Sequence, residues 1–135
     1  MKKINIYENT NSPLEIHEDY RGRIADIFYN RNINHIAIIQ SEPNTIRGNH
    51  YHKESTQHIL ILQGELEYWY KNFNSSEPTK MFVARVGDLI STPPYEIHAL
   101  KITKLGNEFI VFSEGKRGGE DYESDTFRVE NIIEK

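Results

Sequence analysis

Side chains on an extended strand alternate between two faces, so apolar residues at every second position mark a half-buried strand. A run that is apolar on both alternating sets marks a strand covered on both sides. Residues 4–7 and 14–17 are short segments of the first kind. In 23–29, Ile24, Asp26 and Phe28 alternate with Ala25, Ile27 and Tyr29, and 33–40 (INHIAIIQ) is similar, so both predict strands with bulk on each face. In 57–63, Ile59 and Ile61 fall on one face and Leu60 and Leu62 on the other. A single sheet in water would leave one face polar, so this strand is expected deep in a sandwich or against a second copy of the chain. Residues 65–70 follow Gly64 as a hairpin return ending in Tyr68, Trp69 and Tyr70, with the polar stretch 72–78 (NFNSSEP) as the next loop. Further strands are predicted at 79–86, 89–92, 98–102 and 107–113.

No useful length shows a sustained helical period. Strands every 8 to 12 residues with turns between them predict an all-β sandwich or barrel, and jelly-roll closure fits the number. The tail, 114–135, opens on a polar, glycine-rich stretch (115–119) expected to be mobile. After it, Phe127, Val129 and Ile132 are expected to form a last strand or to pack on a neighbouring subunit.

A length of 135 residues sustains one domain, 1–135, with its own core. With 37% hydrophobic and 27% charged residues the composition is that of an ordinary soluble protein. There is no cysteine, so disulfides and thiolates are excluded and any metal must be held by His, Gln or carboxylate. A net charge of −4 argues against nucleic acid as a partner, although one or two arginines in a pocket would still hold a diphosphate. The first residues lack an apolar leader core and no run approaches the roughly 18 residues of a membrane span, so the expected location is the cytoplasm.

Residues 47–64 (RGNHYHKESTQHILILQG) put His50 and His52 on one strand face, with Gln57 opening the next strand beyond a turn at 53–56. Residues 87–100 (GDLISTPPYEIHAL) add a turn at Gly87-Asp88, a rigid Pro93-Pro94 corner and then His98. Three imidazoles and an amide oxygen suit zinc, iron, nickel or copper better than magnesium. A lone buried histidine is usually packing, but several imidazoles are costly to bury without a purpose. His17, His35 and His58 have no such setting and default to surface or packing roles. Without any metal, His50 or His52 can take a proton from beside a ketone, since imidazole titrates near neutrality. Arg47 and Lys53 flank the pair and can hold an anionic group. The aromatics Tyr51, Trp69 and Tyr95 could instead stack on a sugar ring, although such residues are mostly core in a β-sandwich.

The two stretches resemble the paired motifs of the cupin superfamily: H-x-H, then Glu or Gln, then Gly, and later Gly, Pro and a single His. Here these are His50, His52, Gln57, Gly64, Gly87, Pro93 and His98. Two departures stand out. Gln57 replaces the usual acid and is a weaker cation ligand, and Pro94 and Tyr95 follow Pro93 where Gly is common. RGNHYHK is similar to the RGxHxH signature of cupins acting on nucleotide-linked sugars, namely sugar 3,4-ketoisomerases and the C-terminal cupin of capsule-forming sugar reductases. EDYRGRI, 18–24, resembles the Asp-Arg-Gly turn near the start of the ketoisomerases.

The resemblance spans roughly 19–112 and implies a single cupin jelly roll. In the ketoisomerases the two signature histidines are thought to shuttle protons, which implies His50 and His52 as the catalytic pair, with Arg47 near substrate; Lys53, by its flanking charge, and Tyr95, by its ring, are the further candidate substrate-binding residues. His98 is a feature of metal-binding cupins, closer to the zinc-binding capsule-type domain, and implies one divalent metal (zinc, iron or nickel) on His50, His52, Gln57 and His98, with no organic cofactor. The expected activity is isomerisation or epimerisation of a nucleotide-activated keto-deoxysugar for surface polysaccharide synthesis, by a homodimer that binds neither nucleic acid nor membrane. Two alternatives stay open: a metal-dependent dioxygenase or sugar-phosphate isomerase, and a sugar-binding module without catalysis.

Overall fold

The computed structural model describes residues 1–8, 16–115 and 124–134. Its strands are β1 (Lys2–Asn5), β2 (Ile16–Asp19), β3 (Gly22–Ala25), β4 (His35–Ser41), β5 (Ile46–Tyr51), β6 (Thr56–Asn72), β7 (Lys80–Ala84), β8 (Asp88–Thr92), β9 (Glu96–Glu114) and β10 (Phe127–Arg128). All pairing is antiparallel. The long strands β6 and β9 each pass through both faces of a jelly roll. The first half of β6 pairs with β8 and with the second half of β9, which β1 and β4 extend on either side. The second half of β6 pairs with β7 and with the first half of β9, beside which lie β5 and then β10. β2 and β3 form a separate hairpin. The all-β jelly roll expected from the strand spacing is the fold observed.

Between the two faces lies the main core, built on Ile61, Leu66, Tyr68, Ile90, Ile102 and Phe109. The opposite side of the first half of β6 is also dry: Leu60 packs with Ile6 and Leu89, against Ile4, Ile27, Phe28, Leu62 and Phe112. The two-faced apolar pattern of 57–63 is therefore satisfied within this chain, and a second copy is not needed to cover it. Residues 26–29, expected to prolong a strand, leave the sheet after Ala25, and Ile27 and Phe28 help form this cover.

Gly64 does not reverse the chain as the hairpin expectation required. β6 continues through it, with register shifts at Ile61/Gln63 and Gly64/Leu66 that turn the strand from one face to the other. Gly64 has φ +71°, and a Cβ there would collide with the Gly106 carbonyl on β9. Only glycine allows both the conformation and the approach. In the same way, 98–102 and 107–113 are parts of one strand, β9. Residues 14–15 and 116–119, read from sequence as part of a strand and as a mobile stretch, lie outside the described residues.

Candidate active site

The site begins with an irregularity in β5. Arg47 and His50 are three residues apart and would face opposite sides of a regular strand. The pairing with β9 slips between Gly48 and His50, where Gly48 has φ +91° and Asn49 φ +58°. One extra residue restores the phase, and Arg47 and His50 line the same cavity. Gly48 is needed because a Cβ there would lie 2.8 Å from the His98 carbonyl oxygen.

His50 and His98 face each other across the β5–β9 pair. Their ring centroids are 4.7 Å apart, His50 to His52 is 4.9 Å and His52 to His98 is 5.5 Å. One nitrogen from each ring lies within 4.8 Å of the others. A carbonyl only accepts, so the tautomers follow from the hydrogen bonds. His98 Nδ1–H donates to the Glu96 carbonyl at 3.1 Å and His52 Nδ1–H donates to the Asp125 carbonyl at 2.7 Å. In each neutral ring Nε2 then carries the lone pair. Burial pushes the His98 imidazole down to about 4, and the neighbouring His52 acts in the same direction. The amide of Gln57, on β6, faces the same cavity. Orienting the far ring nitrogen by a carbonyl is how proteins prepare histidines for metals, and this donor set fits a late first-row divalent ion.

The cavity measures about 300 Å³. Arg47, His50, Gln57, Tyr68, His98 and Arg128 line it together with apolar side chains. The Tyr68 ring lies parallel to His98, 3° apart with centroids at 6.3 Å. Its hydroxyl bonds Thr92 and the Glu96 carboxyl. Burial first, then the Glu96 charge, lifts the Tyr68 hydroxyl well above its usual range, so it stays protonated at neutral pH. Burial also raises Glu96, against the opposing pull of the first amino group of the chain.

Of the residues picked out by sequence, the structure thus gathers Arg47, His50, Gln57 and His98 around one cavity, with His52 touching both other imidazoles although it is not on the wall. Lys53 and Tyr95 do not line it. The Lys53 ammonium lies 4.3 Å over the Phe127 ring, and Tyr95, at φ +65°, donates its N–H to the His52 carbonyl. Tyr51 stacks with Phe127 and Tyr95 outside the cavity, and the Trp69 indole N–H donates to Glu67.

Sequence reading missed the tail's contribution. Asp125 is 2% exposed. Its carboxylate accepts from the backbone N–H groups of Lys53, Glu54 and Ser55 and from the Ser55 hydroxyl. Burial alone would raise this carboxyl; the donors outweigh burial and hold it below its ordinary value. Downstream, Phe127 and Arg128 pair with Tyr51 and His50, Val129 N–H donates to the Asn49 carbonyl and Ile132 N–H to the Asn49 side chain. The alternation of Phe127, Val129 and Ile132 hinted at a strand; nothing local showed that it would lie against RGNHYHK.

A jelly roll with three histidines converging inside it, two of them from one H-x-H stretch, is a cupin-type fold. Residues 17–114 match the polysaccharide biosynthesis C-terminal domain family, and the chain belongs to that family. A search of curated protein sequences gives no match. Among solved structures, a 3,4-ketoisomerase from Helicobacter canadensis superposes with a TM-score of 0.72 at 17% identity, over 95% of this chain and 90% of the other. A mutant of the 3,4-ketoisomerase QdtA from Thermoanaerobacterium thermosaccharolyticum, in complex with TDP-4-keto-6-deoxyglucose, gives 0.68 at 16% identity over 86% and 83%. The capsular polysaccharide assembling protein CapF from Staphylococcus aureus gives 0.64 at 18% identity over 90% of this chain, which spans only 35% of CapF. At these identities the likeness is one of fold.

Proposed function

We propose that the chain is an isomerase or epimerase of a nucleotide-activated keto-deoxysugar used in polysaccharide synthesis, acting in the cytoplasm as a homodimer. The observation that carries the reading is the joint placement of Arg47, His50 and Gln57 on a barrel cavity from the RGNHYHK strand and its neighbour. The family's assignment to polysaccharide biosynthesis and the fold shared with two 3,4-ketoisomerases support it. In this reading His50, on the cavity wall, exchanges the proton with the carbon beside the ketone and with its neighbour, and His52, turned by the Asp125 carbonyl and in ring contact with His50, is the other member of the pair that carries it. Arg47, on the cavity wall, is the residue set to contact the ligand, whereas Lys53 and Tyr95 lie off that wall.

A second reading rests on His98, which a metal-free proton shuttle does not require. His50, His52, His98 and Gln57 would hold zinc, iron or nickel, and the ion would supply Lewis acidity to a substrate oxygen. The lone pairs that bind an ion are those a proton shuttle uses, so metal content separates the two. For protein purified without an affinity tag, the shuttle predicts less than about 0.1 metal per chain, with solvent deuterium entering a TDP-keto-deoxysugar at a rate lowered ~10²–10⁴-fold by His52→Ala. One metal per chain, lost in His98→Ala together with activity, would replace the shuttle by the metal reading.

A further inference from the structure

Neighbouring residues on a strand point to opposite faces, and two such pairs straddle the sheet where β6 meets β8. Gln57 and Thr92 line the histidine cavity, whereas His58 and Ser91 line a second cavity of about 420 Å³ on the reverse of that sheet. Sequence offers His58 no motif, and the fold supplies one. His58 stands directly opposite Ser91 on β8, and Glu114 reaches the same ring from β9, two residues beyond the Phe112 that faces His58 on that side. The Ser91 hydroxyl lies 2.6 Å from His58 Nδ1 and the Glu114 carboxylate 2.8 Å from His58 Nε2.

The direction of each bond follows from its partners. Arg31 donates two N–H bonds to Glu114, at 3.1 and 2.6 Å, and holds that carboxyl below its ordinary value against burial. An ionised carboxylate only accepts, so His58 Nε2 carries the hydrogen and Nδ1 the lone pair that receives the Ser91 O–H. The His58 ring is 2% exposed, and burial, reinforced by Arg31 and opposed by Glu114, holds it below 6.5, so it is a neutral base at pH 7. Lys2 lies directly across from Ser91 on β1, therefore on the same side of the sheet, and lines the same cavity. Among the described residues its ammonium has no carboxylate partner. Ile4, Phe28 and Leu89 give the cavity an apolar wall.

A hydroxyl, a neutral imidazole and a carboxylate in one hydrogen-bonded line on a cavity wall form the arrangement that activates a serine. We propose that Ser91, His58 and Glu114 form a second active centre that cleaves carboxylic esters of short acyl groups, with Lys2 beside the oxyanion. Ser91 Oγ bonds to the carbonyl carbon as its proton passes to His58 Nδ1, and the ester C–O bond breaks as that proton moves to the departing alcohol. Water then bonds to the acyl carbon and gives a proton to His58. The Ser91–acyl bond breaks, the proton returns to Ser91 Oγ, and the carboxylic acid leaves. Glu114 is a positioning residue that fixes which ring nitrogen is the base and steadies the imidazolium. The centre shares no residue with the histidine cavity and does not depend on the nucleotide-sugar reading.

Nitrophenolate release from p-nitrophenyl acetate reads turnover. Mass spectrometry after treatment with a fluorophosphonate, which phosphonylates an activated serine and expels fluoride, reads the nucleophile. Ser91→Ala, His58→Gln, Glu114→Gln and a control at an exposed histidine, His17→Ala, are first shown to be folded by circular dichroism and melting. The expected results are a phosphonate on Ser91 of the wild type and release lowered ~10²–10⁴-fold in Ser91→Ala and His58→Gln, with His17→Ala unchanged. The charged groups at the ring are Glu114 from β9 and Arg31 from the segment after β3; Lys2, Tyr29 and Met1 stand elsewhere on the wall. Glu114→Gln removes the negative charge that raises His58, so the pH midpoint of the rate, below 6.5 in the wild type, should move further down. An unmodified Ser91 after fluorophosphonate treatment would overturn the proposal, as would equal nitrophenolate release by wild type and Ser91→Ala.

Discussion

At the scale of single residues, the site depends on atoms that do not themselves face substrate. Asp125 is the clearest case, because its carboxylate gathers three backbone N–H groups and a hydroxyl while its own carbonyl turns His52. Asp125→Asn keeps the shape but removes the charge from these bonds, and should cost about 1.5–3 kcal/mol of folding stability at pH 7. The pH dependence has a definite sign. The folded carboxyl sits below its ordinary value of 3.8, so the stabilisation is complete above that value and disappears as pH falls through the folded one. Denaturant melts of chelator-treated protein should therefore show a gap between wild type and Asp125→Asn that is widest near neutrality and closes in acid. A gap unchanged between pH 7 and 3 would show that the carboxylate charge is not what the turn uses. The histidines themselves were readable from sequence as a cluster, but the common strand face expected of H-x-H is not kept, since β5 ends at Tyr51 and His52 lies beyond it, off the cavity wall. Asp125 and Arg128 were not readable, since their partners lie 70 or more positions away and no local pattern encodes such a pairing.

At the scale of elements, the sequence showed where strands lie and misjudged how they join. Alternation located the stretches at 57–63, 65–70, 98–102 and 107–113, but a glycine between two strands reads equally as a reversal or as a bend. Gly64 is a bend: its positive φ and its close approach to Gly106 let β6 leave one face and enter the other. Gly64→Ala is accordingly expected to lower the melting temperature by about 10 °C or more, since a Cβ meets backbone that cannot retreat within the pairing. Thermal melts against a surface substitution such as Lys104→Ala would check this, and a shift of a degree or two would mean the corner adapts. The bulge at Gly48-Asn49 is a subtler case of the same limit. Nothing in the sequence reading singled out Gly48-Asn49, and only the pairing with β9 shows that this pair brings Arg47 into phase with His50.

At the scale of the whole molecule, the apolar pattern of 57–63 had two explanations, and the chain covers that surface with its own Ile6, Ile27 and Phe28. Exposed apolar side chains remain elsewhere, with Ile36 and Ile38 on β4 each 63% exposed. A homodimer through this face predicts a solution mass of twice 15.8 kDa that falls to one chain in Ile36→Lys/Ile38→Lys, read by light scattering. A wild-type mass of one chain would remove the dimer. The docking of the C-terminal segment on the H-x-H strand has a further consequence for how the protein is handled. His52 meets its orienting carbonyl 73 positions later, so a polypeptide shortened past the end of β9 but before Asp125 keeps strands β1 to β9 and loses that carbonyl. Catalytic rate per folded molecule thus becomes a gauge of uncut material, and a preparation judged sound by its spectrum alone would overstate its working fraction.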